Sequence, residues 1–238
     1  MKNINIIGCG LMGLQIAGLF SIMGYGVNIW NRSPVNLNNI VRQKKIISKL
    51  LKTNDLNGEI ILVKDFEKLK NLITIESLAE DLIIKKDYIS KLEKKITKEI
   101  FTNSSSIKTK DLSEKLNLLH FFNPIYLRII EYNHVKKLSE EAESMFFDLK
   151  KMNFDLIKVS NFTGYAFNKI LFAEISNFFL LIEKEKIRKD EILRIFKKIN
   201  HNLDVLNTID LIGIDISIKI FENLNKEYNF YIPQILYS

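Results

Sequence analysis

Four places in the chain carry side chains able to move a proton beside a reacting oxygen. His120 stands late in the apolar run Leu118-Leu119-His120-Phe121-Phe122, and Glu131 closes the next apolar run, eleven residues further on. A histidine whose ring is held by a carboxylate can take a proton from a hydroxyl and return it. The polar turn Asn103-Ser104-Ser105-Ser106 follows the strand-like Ile100-Phe101-Thr102. Asn168 falls on the first turn of a long apolar segment. The hydroxyls of that turn and the amide of Asn168 are polar groups that could join such a site. Each group also has a plainer reading. A histidine in an apolar run is commonly a hydrogen-bonded core residue, and serine clusters commonly close turns or cap helices.

These side chains need a scaffold, and the first thirty residues say which. Ile4-Asn5-Ile6-Ile7 is short, apolar and β-branched, so it reads as a buried strand. Leu14 to Met23 places Ile16, Ala17, Leu19, Phe20 and Met23 at helical spacing, and Val27-Asn28-Ile29-Trp30 reads as a second strand. Between the first strand and the helix lies Gly8-Cys9-Gly10-Leu11-Met12-Gly13. In that context G-x-G-x-x-G is the fingerprint of dinucleotide binding. Gly8 permits the turn, Gly10 lets a pyrophosphate approach the backbone, and Gly13 lets helix and strand pack closely. The pyrophosphate then meets the positive end of the helix. Cys9 reads as a small buried residue. The second strand ends in Asn31-Arg32-Ser33, where the fingerprint expects an acid that grips a ribose 2′-hydroxyl. Asn31 would not repel a 2′-phosphate and Arg32 could pair with one, which favours NADP over NAD. Arg32 reads equally as a solvated surface arginine.

The pattern continues as strands and helices in alternation. Further strands are expected at 59–63, 72–75, 100–102, 117–122, 129–131 and 156–159, the fourth-ranked run 72–75 delivering Glu76. Helices are expected at 38–52, 65–70, 82–98, 110–115 and 139–151, with a turn at 54–58. This rhythm argues a Rossmann-type, doubly wound parallel sheet covered on both faces. From Thr163 onward the pattern is helical, over 165–184, 189–200 and 214–225. The expected organisation is therefore a Rossmann domain over residues 1–162 and a small all-α C-terminal domain over 163–238.

Composition narrows the class. The 238 residues are 47% hydrophobic and 11% aromatic, which suits a folded protein with a sizeable core. A single Cys argues against a disulfide framework and suits a reducing cytoplasm. Lys2 runs at once into a strand, so no leader is expected, and no apolar run is read as a membrane span. The formal charge is +7, but the lysines are interleaved with acids, as in Lys91-Leu92-Glu93-Lys94-Lys95, and form no stripe for a nucleic acid. A basic surface would still attract a polyanionic substrate. No metal-ligating set is read.

Several segments together resemble the 3-hydroxyacyl-CoA dehydrogenase family, its 3-hydroxybutyryl-CoA members included. They are Gly8–Ala17, Glu76–Lys85, Thr102–Ser106, His120-Phe121-Phe122-Asn123-Pro124, Gly164–Lys169 and Ile209–Asp215. The pentapeptide at His120 matches a family signature letter for letter. The resemblance implies an oxidoreductase acting on a short-chain 3-hydroxyacyl-CoA with NAD or NADP. His120 would be the acid/base, Glu131 its orienting carboxylate, and Ser105 and Asn168 donors to the reacting oxygen. Glu80, Lys85 and Asn103 would serve the cofactor alongside Gly8, Gly10, Leu11, Met12, Gly13, Asn31 and Arg32. It also implies a homodimer formed through the helical domain, with 172–182 either an interface or a core helix.

Some segments depart from the family. The stretch from Asn31 to Glu59 is shorter than the family's CoA-contacting helical hairpin, and Thr163 and Lys169 replace a proline and an arginine. The family's Gly- and Lys-rich tail has no counterpart before Ser238. Two further readings stay open on these grounds: a dehydrogenase of another 3-hydroxy acid, and a non-catalytic nucleotide-binding homologue.

Overall fold

The structure is a computed structural model that describes residues 2–53, 58–199 and 204–237. The turn expected at 54–58 lies outside the described residues except for Gly58. Two compact units are formed. One comprises Met1–Ser104 and Lys108–Asn161, the other Ser105–Ile107 and Phe162–Ser238.

The first unit is built on eight strands: β1 (Asn3–Ile7), β2 (Gly26–Trp30), β3 (Ile60–Leu62), β4 (Thr74–Glu76), β5 (Ile100–Thr102), β6 (Asn117–Phe121), β7 (Ile129–Asn133) and β8 (Asp155–Lys158). They form one sheet in the order β3-β2-β1-β4-β5-β6-β7-β8. β2, β4, β5 and β6 are buried at every residue, whereas edge strands β3 and β8 are largely exposed. Burial of consecutive residues means cover on both faces, and this is why the central strands read as largely apolar runs without a polar alternation. The helices of this unit are α1 (Leu11–Ile22), α2 (Leu37–Leu51), α3 (Leu82–Lys95), the single turn α4 (Thr109–Leu112) and α5 (Glu140–Lys151). Asn36, Asp81 and Ser139 cap α2, α3 and α5 through side-chain acceptors. The expected helix at 65–70 is a 3₁₀ turn over Phe66–Lys68. Ile6, Ile16, Phe20, Ile29, Ile75, Phe101, Leu119, Ile130, Met145 and Leu149 are among the residues of its core.

One pairing departs from the expected parallel sheet. β6 and β7 run antiparallel, while all other neighbours are parallel. The connection between them is too short for a crossover, so the chain must turn back on itself. The register sets His120 directly opposite Glu131.

The second unit holds α6 (Tyr165–Glu183), α7 (Lys189–Lys198), α8 (Val205–Ile212) and α9 (Ile214–Tyr228). α8 is an addition to the expected helices. Its N-terminus is capped by Asp204, whose carboxylate accepts from the Asn207 N–H at 3.1 Å. Among the described residues α6 is the one helix long and apolar enough to cross a membrane, against the expectation that no run reaches that length. Its Phe172, Ile175, Phe178 and Phe179 are instead core residues, packed with Ile209, Phe221 and Leu224. These four side chains of the 172–182 stretch are therefore core residues.

Candidate active site

The strand order reverses between β1 and β4, the place where doubly wound sheets bind ligands. The glycine turn lies there. Gly8 has φ +108°, and its N–H donates to the Trp30 carbonyl at 2.8 Å. A Cβ on Gly8 would stand 2.3 Å from the Ser77 carbonyl oxygen, and one on Gly13 2.1 Å from that of Gly8. A Cβ on Gly10 would meet nothing within 4 Å. Packing therefore accounts for Gly8 and Gly13 but not for Gly10, whose backbone borders open space. Gly10 also caps α1, which has no side-chain cap and no acid in its first turn. That helix end, with Leu11 and Met12 on its first turn, suits an anion. Asn31 closes the turn from β2. Its Oδ1 accepts from the Cys9 N–H at 3.0 Å and its Nδ2 donates to the Ser33 carbonyl at 2.9 Å. Arg32 and Ser33 are exposed beside it. Burial pushes the Cys9 thiol up to about 12, so it is no nucleophile at neutral pH.

At the end of β4 the sheet carries a buried carboxylate that the sequence reading left without a role. Glu76 is fully buried and accepts from the Lys85 ammonium at 2.8 and 3.1 Å, the Thr102 hydroxyl at 2.6 Å and the Leu78 N–H at 2.6 Å. Lys85, expected at the cofactor, is itself buried, with Glu80 on its other side at 3.5 Å. A buried ammonium needs such carboxylates around it. Burial works against the charge of Lys85, but the Glu76 and Glu80 carboxylates outweigh it and hold the pKa above the ordinary lysine value. Glu80 also accepts from the Ser104 hydroxyl at 2.7 Å. Asn103 braces the neighbouring strand ends, accepting from the Phe121 N–H at 2.8 Å and donating to the Ser77 hydroxyl at 3.3 Å.

On the same sheet, His120 Nδ1 lies 3.0 Å from Glu131 Oε2, and both residues are buried. The Phe122 ring lies beside the imidazole, centroid to centroid 5.2 Å. With the proton on Nδ1 facing the carboxylate, Nε2 keeps the lone pair of a base.

Ser105 and Asn168 belong to the second unit, where the Asn168 amide donates to the Ser105 carbonyl at 2.8 Å. The structure thus brings Ser105 to Asn168, and His120 to Glu131.

The family described as 3-hydroxyacyl-CoA dehydrogenase, NAD binding domain, matches residues 3–154, and the C-terminal domain of the same family matches residues 164–236. The chain belongs to the 3-hydroxyacyl-CoA dehydrogenase family and is an oxidoreductase. It is 28% identical to a 3-hydroxybutyryl-CoA dehydrogenase of Clostridioides difficile, over 94% of this chain and 87% of that protein. It is also 26% identical to a fatty acid oxidation complex subunit alpha of Acinetobacter baumannii, over 88% of this chain but only 32% of that longer protein. The fold is similar to that of the (S)-3-hydroxybutyryl-CoA dehydrogenase PaaH1 of Ralstonia eutropha, with a TM-score of 0.81 at 22% identity, over 99% of this chain and 92% of that one. M. tuberculosis FadB2 gives a TM-score of 0.83 at 20% identity, over 100% and 92% of the two chains. The glycine turn fits the NAD that this family's first domain binds. Gly8, Gly10, Leu11, Met12 and Gly13 offer an uncapped helix end and, at Gly10, an uncrowded backbone.

Proposed function

We propose that the protein interconverts a short-chain 3-hydroxyacyl-CoA and the matching 3-oxoacyl-CoA. The observation that carries this reading is the buried His120–Glu131 pair, fixed at 3.0 Å by antiparallel register. In oxidation His120 Nε2 accepts the proton of the C3 hydroxyl, and in reduction it returns a proton to the C3 carbonyl oxygen. Glu131 orients the ring and offsets the positive charge that forms on it. Ser105 and Asn168 donate hydrogen bonds to the reacting oxygen. A nicotinamide cofactor would supply the two-electron chemistry, as hydride acceptor in oxidation and hydride donor in reduction. Glu80 and Asn103 serve the nicotinamide half of the cofactor, with Lys85 acting through Glu80.

NADP is the favoured cofactor. The side chain at the end of β2 is the neutral Asn31, held inward by Cys9 and Ser33, with exposed Arg32 next to it. No carboxylate stands there to repel a 2′-phosphate. The same reading takes the enzyme as a cytoplasmic homodimer, with the exposed Phe167 and Ile170 of α6 available to a second copy.

The test is the loss of reduced-nicotinamide absorbance with acetoacetyl-CoA and either NADPH or NADH. Free acetoacetate is run in parallel. Turnover that requires the thioester and runs faster with NADPH is the expected result. Tight cofactor binding with no turnover on either compound would overturn the proposal.

A further inference from the structure

The chain leaves the first unit after Ser104 and returns to it at Lys108, and the three residues between belong to the helical unit. All three of their carbonyls are gripped there. Asn168 Nδ2 donates to Ser105 O at 2.8 Å, the Gly164 N–H to Ser106 O at 3.3 Å, and the Tyr165 hydroxyl to Ile107 O at 2.7 Å. Asn223 Nδ2, from α9, adds a bond to the Ser106 hydroxyl at 2.9 Å. Ser106, Ile107 and Tyr165 are buried.

The backbone at the gripping end is unusual. Gly164 and Tyr165 both have positive φ, +76° and +47°. Glycine adopts that region freely, but an aromatic residue does so only where its surroundings over-determine it. Here the Tyr165 ring is fully buried and its hydroxyl is committed to Ile107. A Cβ at position 164 would strike the Leu224 side chain at 2.4 Å, so α6 and α9 meet closely at this point.

We propose that Tyr165 and Asn223 are positioning residues for Ser105. They act through the main chain of Ile107 and the hydroxyl of Ser106, so that the helical unit fixes the segment that presents the Ser105 hydroxyl. The proposal rests on the role given to Ser105 above. Holding a donor in place matters because small misplacements of a positioned group cost rate heavily.

The experiment compares the parent with Tyr165→Phe, Asn223→Ala, Ser106→Ala and the double variant Ser106→Ala/Asn223→Ala. Amide hydrogen exchange of the peptide carrying Ser105–Ile107 is measured alongside turnover of acetoacetyl-CoA. Each single variant should speed exchange in that peptide and lower kcat by about tenfold, as expected for one lost buried hydrogen bond. KM for the cofactor and the pH dependence of kcat should stay in place, since both depend on groups in the first unit. The double variant should be no worse than either single. Asn223→Asp, able to accept from the Ser106 hydroxyl, should recover most of the loss. Unchanged exchange at Ser105–Ile107 in both Tyr165→Phe and Asn223→Ala overturns the proposal, as does unchanged kcat in an active parent. If the parent turns over nothing, exchange alone decides the anchoring, and the failed turnover counts against the proposed reaction.

Discussion

Lys85 of α3 with Glu76 at the end of β4, and His120 of β6 with Glu131 of β7, are both buried pairs of a base and a carboxylate, and β6 lies two strands from β4 in the sheet. Their distances are alike, 2.8 and 3.0 Å. Their chemistry is not. Glu76 also accepts from the Thr102 hydroxyl and the Leu78 N–H, and Lys85 is flanked by a second carboxylate, Glu80. That lysine is held above its ordinary pKa, so its charge does not move near neutrality. Burial of a base against an acid is therefore common to both pairs. The first carries further contacts that fix it as a strut, and the proposed reaction asks the second to pass a proton.

The comparison is broken most directly at Lys85. Lys85→Met leaves Glu76 buried and uncompensated, and should cost about 3–5 kcal/mol of unfolding free energy in urea. Glu76→Met/Lys85→Met, an apolar replacement of both partners, should recover much of that loss. A double variant as unstable as the single would mean that the pair is not the unit. The sign with pH follows from the raised value. A base whose folded pKa lies above its unfolded one contributes fully below the unfolded value, about 10.4 for lysine. The contribution is lost as pH rises through the folded value. The parent should therefore lose urea resistance above about pH 10, and Lys85→Met should lose less over the same range.

At His120 the expected pattern inverts. His120→Gln keeps a donor for Glu131 but removes the ring nitrogen proposed as the base. It should lower kcat by on the order of a hundredfold or more, close to 3 kcal/mol in the barrier, while Tm moves little. A variant as active as the parent would remove His120 from the mechanism. A large fall in Tm with intact activity would make this pair a second strut.

What the sequence made legible tracks these physical differences. The central strands declared themselves because burial on both faces leaves nearly continuous apolar runs, as in Ile4–Ile7 and Leu118–Phe122, interrupted only by the buried Asn5 and His120. The glycine turn was legible because Gly8 and Gly13 have no room for a Cβ. The antiparallel return of β7 was not, since an apolar run carries no sign of its direction. The role of Glu76 was hidden for a similar reason. One acid at a strand end has no periodicity, and its partners Lys85 and Thr102 arrive only through the fold. α8 had a usable signal in Asp204, an N-cap three residues before Asn207, which the apolar pattern around it obscured. The grip of Tyr165 on Ile107 spans 58 residues and leaves no local trace.

A third charge extends the comparison to the surface, where the smallest effect is expected. Arg32 is exposed, so it lacks the desolvated surroundings that make Lys85 costly to remove. Arg32→Ala should leave the urea midpoint in place and act only on cofactor choice. On the proposed preference for NADP, Arg32 makes a charge-assisted bond to the 2′-phosphate, and losing it should cut the NADPH-to-NADH ratio of kcat/KM by about tenfold. Because the contact is solvent-exposed, the same ratio in the parent should fall as salt is raised. Asn31→Asp should lower it further by placing a carboxylate against the phosphate, although it keeps an acceptor for the Cys9 N–H. A ratio unmoved by both variants and by salt would assign Arg32 to solvent and leave the choice of dinucleotide to other residues.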